Sequence, residues 1–152
     1  MSVVAQLEES ALDPARELAT LLARAEGDGA FVSFTGVARP GSKGGQTVYR
    51  LVLEHHSVLT ARSLEQIALD AAARFDVSHV HVVHRVGDIS AGEPIVFVGT
   101  ASLHRRAAFE AADYLMDRLK TEAVFWKREI GDAGPSWVEP TDADYADRER
   151  WG

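Results

Sequence analysis

The chain has 152 residues, 46% of them hydrophobic and 26% charged, a balance that favours one folded domain with a real core over a disordered polymer. It contains no cysteine, which excludes disulfides, thiolate metal sites and a protein thiol as nucleophile, so any sulfur chemistry must import its sulfur. A formal net charge of -7 argues against a general nucleic-acid binder, whose affinity comes from neutralising phosphates.

Residues 1–14 carry Glu8, Glu9 and Asp13 where a signal peptide would be basic and then apolar, and no apolar run approaches a membrane span, so a cytoplasmic location is expected. Asp13-Pro14 reads as an N-cap and first helical position, and Leu18, Leu21, Leu22 and Ala25 give a helical stripe ending near Gly27 and Gly29. Residues 30–35 are short, apolar and aromatic, like a buried strand, and run into Val37-Ala38-Arg39-Pro40 and the glycine-rich residues 41–45, expected to be a mobile loop. Residues 47–55 alternate, with Tyr49, Leu51 and Leu53 on one side and Arg50 and Glu54 on the other, as in a half-buried strand whose partner is expected to be adjacent.

A second helix is predicted over residues 60–75 from the spacing of Leu64, Ile67, Ala68, Ala71 and Phe75. Residues 79–86 and 94–102 are β-branched strands joined by the turn-rich residues 87–93, which suits a hairpin or crossing pair. His104 opens a third helix with Ala108, Ala111, Ala112, Leu115, Met116 and Leu119 as its apolar face up to Lys120. Residues 125–130 and 137–139 read as another hairpin, and the acidic residues 141–152 as a peripheral short helix or tail. Three main helices and about six strands, often consecutive, make the class α+β, a single domain over 1–152 with a largely antiparallel sheet.

Two clusters could carry chemistry. Ser102-Leu103-His104-Arg105-Arg106 lies where a strand ends and a helix begins, and helix N-terminal amides beside cationic side chains favour an anion such as phosphate; a solvated arginine pair fits the same residues. Only three lysines occur, Lys43, Lys120 and Lys127. Two of them bracket Phe125 and Trp126, with Arg128 following, and lysines near other cations and apolar rings can serve as general acid, base or nucleophile; two ordinary surface lysines are the competing reading. His79, His81 and His84 invite a metal, but His84 points to the opposite strand face and no carboxylate framework accompanies them, so neither metal nor cofactor is expected.

Taken together, the segments resemble the MoaE family, the catalytic subunits of molybdopterin synthase. The resemblance is carried by Gly29-Ala30-Phe31-Val32-Ser33-Phe34-Thr35-Gly36 with Arg39, Leu53-Glu54-His55, His84-Arg85-Val86-Gly87, Gly92-Glu93 and Val96-Phe97-Val98. It continues through His104-Arg105, Ala108-Phe109, Met116-Asp117, Leu119-Lys120, Phe125-Trp126-Lys127-Arg128-Glu129 and Trp137-Val138-Glu139, in family order across residues 29–139. Val124 and Pro140-Thr141 depart from the pattern, where relatives often carry a proline and a basic residue.

The resemblance implies an α/β hammerhead-type fold and a homodimer that binds two copies of a small ubiquitin-like sulfur carrier, giving a heterotetramer. The carrier's Gly-Gly tail, ending in a thiocarboxylate, would deliver sulfur to cyclic pyranopterin monophosphate and form the dithiolene of molybdopterin. By the same resemblance Lys120 and Lys127 are the catalytic pair. Val37, Ala38, Arg39, His104, Arg105, Arg128 and Glu129 would join them in binding substrate. If residues 104–120 form one helix, its ends lie about 24 Å apart, too far for His104 and Lys120 of one chain to grip one small substrate, so a site shared across the dimer is expected. The rival from another class is a non-catalytic module that binds a nucleotide or a ubiquitin-like tail for regulation.

Overall fold

The computed structural model describes residues 2–41, 45 and 47–152. Its elements in chain order are β1 (Ser2–Glu8), α1 (Pro14–Arg24), β2 (Ala30–Val37), β3 (Val48–His55), α2 (Leu59–Arg74) and β4 (His79–Arg85). They are followed by β5 (Gly87–Ser90), β6 (Pro94–Ser102), α3 (Arg105–Glu122), β7 (Phe125–Gly131), β8 (Gly134–Val138) and α4 (Asp142–Glu149). The strands form two four-stranded sheets, ordered β1-β4-β6-β2 and β5-β3-β7-β8. Only the β1–β4 pairing is parallel among the described strands, so the expected α+β class with largely antiparallel pairing describes the fold.

The first sheet carries helices on both faces, which is why β4 and β6 are buried almost end to end and read as continuous apolar runs. Val80, Val82, Val96 and Val98 face α2 and α3, where Leu64, Ile67, Ala71, Ala111 and Leu115 complete the main core. On the opposite face Val83, Phe97, Ala101 and Phe31 meet Leu12, Leu18 and Leu21 of α1 and its approach. Asp13 caps α1 by accepting from the Arg16 amide, with Pro14 at the start of the helix, as its sequence dictates.

In five places the structure corrects or goes beyond the expectations. First, β1 had no sequence prediction; it forms because Val3, Ala5 and Leu7 pack under α2 while the backbone pairs with β4. Second, β3 pairs not with an adjacent strand but with β5 and β7, since β2 lies beside β6 at the edge of the other sheet with Phe34 and Val37 exposed. Third, the turn-rich link 87–93 holds β5, made possible by Gly87 at a φ of +87°, where the chain leaves one sheet and enters the other. Fourth, the register shift between Val48 and Arg50 turns Tyr49 outward and buries Val48 beneath it. Fifth, of the short helix or tail expected at the C-terminal end the structure has the helix, α4: Thr141 and Asp144 form a reciprocal capping box, and Trp151 just beyond packs edge-on against Phe75 and Tyr114. Ser42, Lys43 and Gly44 of the expected mobile loop lie outside the described residues.

Candidate active site

Between the second sheet, the end of α3 and the start of α4 lies a cleft of about 510 Å³. Alternation along β7 directs Phe125, Lys127 and Glu129 into it. The end of α3 adds Lys120 and Thr121, the end of β2 and the segment after it add Val37, Ala38 and Arg39, and the start of α4 adds Thr141, Asp144 and Tyr145. The loop after β2 thus brings Arg39 to the same place as Lys120 and Lys127, which lie some 80 residues further along the chain. Three carboxylate residues, Glu129, Glu139 and Asp144, line the same cleft, so within one chain its formal charges balance.

Not every expected site residue is there. Arg128 occupies the opposite face of β7, where its guanidinium is 3.6 Å from Glu54 and lies over the Trp137 ring at 5.8 Å. His104 and Arg105 stand exposed at the other end of α3; Arg105 borders a shallow pocket with Arg106, Phe109, Glu110 and Asp113. His104 is the N-cap of α3, but its side chain makes no capping bond, which leaves the first-turn amides without a side-chain partner from that residue. At about 1.5 Å per residue, the helix separates His104 from Lys120 by about 24 Å.

The histidines are placed singly. His81 meets Glu17 at 2.6 Å on the α1 side of the first sheet, and His79 contacts the Ser78 hydroxyl at 2.9 Å. His84 is buried; its Nδ1 lies 2.8 Å from the Arg85 carbonyl, and because a carbonyl only accepts, Nδ1 carries the proton. Its ring stacks on Phe125 with centroids 4.2 Å apart. Burial, reinforced by the nearby Lys127 cation, pushes the His84 pKa down to about 4, so the ring is neutral near pH 7.

Reasoning from sequence missed Thr141, Asp144 and Tyr145 as cleft residues. The pattern Thr141-Asp142-Ala143-Asp144 is a legible helix start, but nothing in it says what the helix covers.

An α+β chain whose two sheets leave a cleft lined by two lysines, an arginine and three carboxylates gathers proton-transferring groups of both signs in one place, as an enzyme does. The family model described as MoaE protein matches residues 7–122. The chain belongs to the MoaE family. It is 43% identical to the molybdopterin synthase catalytic subunit of Pseudomonas aeruginosa, over 96% of this chain and 97% of that protein. The solved molybdopterin biosynthesis MoaE protein of Burkholderia ambifaria superposes with a TM-score of 0.82 at 37% identity, covering 100% of this chain and 99% of that one. A chain from the Helicobacter pylori complex of subunits 1 and 2 of molybdopterin-converting factor shares the fold, with a TM-score of 0.70 at 19% identity over 90% and 88% of the two chains.

Proposed function

We propose that the chain is the sulfur-inserting subunit of a molybdopterin synthase. It takes sulfur from the C-terminal thiocarboxylate of a small ubiquitin-like carrier and places it on cyclic pyranopterin monophosphate. The observation that carries this reading is the meeting of Lys120, Lys127 and Arg39 in one cleft of a MoaE-family chain that has no thiol of its own. In the reaction the carrier's sulfur attacks an oxygen-bearing carbon of the pterin side chain, and the carbon–oxygen bond at that carbon breaks, the departing oxygen taking up a proton, so that one sulfur replaces one oxygen. Cutting the acyl–sulfur bond with water then leaves sulfur on the pterin and a carboxylate on the carrier. Lys120 and Lys127 move protons and stabilise the anionic intermediates, with Lys120 the essential group. Glu129, which lines the same cleft, orients the ammonium groups, and Val37 and Ala38 shape the wall next to Arg39.

The balanced charge of the single-chain cleft supports a shared site. A phosphate needs a cationic excess, and in a homodimer His104 and Arg105 of a second copy supply it from the distant end of α3. Two carriers on such a dimer make the heterotetramer, and the two sulfurs of the dithiolene come from two carrier molecules in turn. Arg128, on the outer face of β7, acts on the carrier or the strand and not on the pterin. No described helix is long and apolar enough to cross a membrane, and the proposed place of work is the cytoplasm.

The test is to mix the chain with thiocarboxylated carrier and precursor and follow dithiolene formation. Turnover should appear with the wild-type protein and fall by about 100-fold or more in Lys120→Ala. Wild-type turnover in that variant would remove Lys120 from the mechanism. Bound carrier and precursor with no product from the wild-type chain would instead mark a non-catalytic binding module.

A further inference from the structure

Two adjacent residues at the end of β4 reach toward opposite walls of the cleft without lining it. His84 is 5% exposed and stacks on Phe125, which stands two residues before Lys127 on the same face of β7. Its Nδ1–H bond to the Arg85 carbonyl fixes the ring plane, so the Phe125 ring meets a held surface. Arg85, 9% exposed, turns the other way: Nη1 donates to Glu93 Oε2 at 2.9 Å and Nη2 to the Asp88 carbonyl at 3.1 Å. The second oxygen of Glu93 accepts from the Ser90 amide at 2.9 Å.

That clasp closes the turn whose backbone holds the Arg39 segment. The Ala38 amide donates to the Glu93 carbonyl at 2.9 Å, and the Gly92 amide donates to the Ala38 carbonyl at 2.7 Å. Gly92 adopts a φ of +92°, a conformation that favours glycine. Arg39 follows directly. Each arm therefore ends one or two residues from a group that the proposed chemistry needs.

We propose that His84 and Arg85 form a two-armed brace that positions the cleft walls separately, His84 setting Lys127 through Phe125 and Arg85 setting Arg39 through Glu93. Both are positioning residues. The inference rests on the reading of Lys127 as a catalytic group and Arg39 as a substrate ligand. Its distinguishing property is that the two arms touch different kinetic parameters, whereas a general packing role would lower both in step with stability. The depressed pKa of Glu93, held down chiefly by its bond from Arg85, agrees with a clasp that stays charged.

The experiment uses the full chain with thiocarboxylated carrier and pterin precursor, and reads kcat, KM for precursor and melting temperature. His84→Asn should lower kcat by about tenfold or more with KM within about twofold, because a displaced Phe125 lets Lys127 drift. His84→Phe, which returns a ring to Phe125, should recover most of the lost kcat. Glu93→Gln and Arg85→Gln should each raise KM by about tenfold with kcat within about twofold, and the double variant should be no worse than either single one. Parallel changes in kcat and KM that track the melting temperature in both arms would overturn the brace, as would unchanged kinetics in all of these variants. Lys127→Ala and Arg39→Ala run alongside. Wild-type kinetics in those two sink the functional reading itself, while their failure beside normal His84 and Glu93 variants sinks the brace alone.

Discussion

Replacing Trp151 with alanine should release α4 from the body of the protein while the rest stays folded. Trp151 makes edge-to-face contacts with Phe75 at 5.7 Å and Tyr114 at 5.5 Å, and its Nε1–H donates to the Asp117 carboxylate at 2.7 Å. Each aromatic pair contributes about 1 kcal/mol, and a partly exposed hydrogen bond to a carboxylate about 1 kcal/mol more, giving about 3 kcal/mol for the anchor. The element depends on this anchor because α4 has no buried residue of its own, and an isolated helix of its 8 residues is unstable in water. The ion pairs from Arg148 to Glu122 and from Arg150 to Asp113 and Asp117 are partly exposed, so each adds well under about 1 kcal/mol. Losing about 3 kcal/mol raises the detached fraction by about 100-fold. Hydrogen exchange followed by mass spectrometry should show amides of residues 142–149 exchanging about 100-fold faster, with α2 and α3 unchanged. Because Thr141, Asp144 and Tyr145 would leave the cleft wall, KM for the precursor should rise as well. Exchange in α4 within about threefold of wild type would refute the reasoning.

Two further outcomes follow from the site and the core. Mixing His104→Ala protein with Lys120→Ala protein, each inactive alone, should restore partial turnover in hybrid dimers, where one composite site is intact; no recovery after subunit exchange would exclude a site built from two copies. The buried His84 should make stability depend on acidity, because the unfolded chain takes up its proton near pH 6.5 and the native one only near pH 4. The contribution is complete above about pH 6.5 and fades as pH falls toward about 4, a loss on the order of 3 kcal/mol. Melting curves of wild type and His84→Phe between those limits should diverge by that amount, and identical slopes would contradict it.

Helices and central strands were legible because their signals are local. Asp13 and Pro14 start α1 in the open, and the alanine and leucine spacing of α3 needs no partner to be recognised. What escaped depended on long-range placement. The Val3, Ala5 and Leu7 alternation of β1 acquires meaning only when α2 covers it, and β5 hides in a segment whose glycine and polar residues look like a turn. In the cleft, Arg39, Lys120, Lys127 and Glu129 were nameable from motif likeness, and strand alternation places Arg128 on the other side from its neighbours. Tyr145 and Asp144 carried no chemical signature, since it is the docking of their helix on α3, through Trp151 and the arginines beside it, that brings them to the opening.

The strand order of the second sheet dictates when this protein becomes competent. All four strands of the first sheet have been synthesised once residue 102 is made, and β3 can by then pair with β5, but its other edge waits for β7 and the second sheet is complete only with β8, which ends at residue 138. A nascent chain can thus form its first sheet, with α3 following to complete the core, before the walls of the cleft exist. The late closure of a gap of some 70 residues between β3 and β7 is a costly non-local step, so the cleft is among the last parts of the architecture to be assembled.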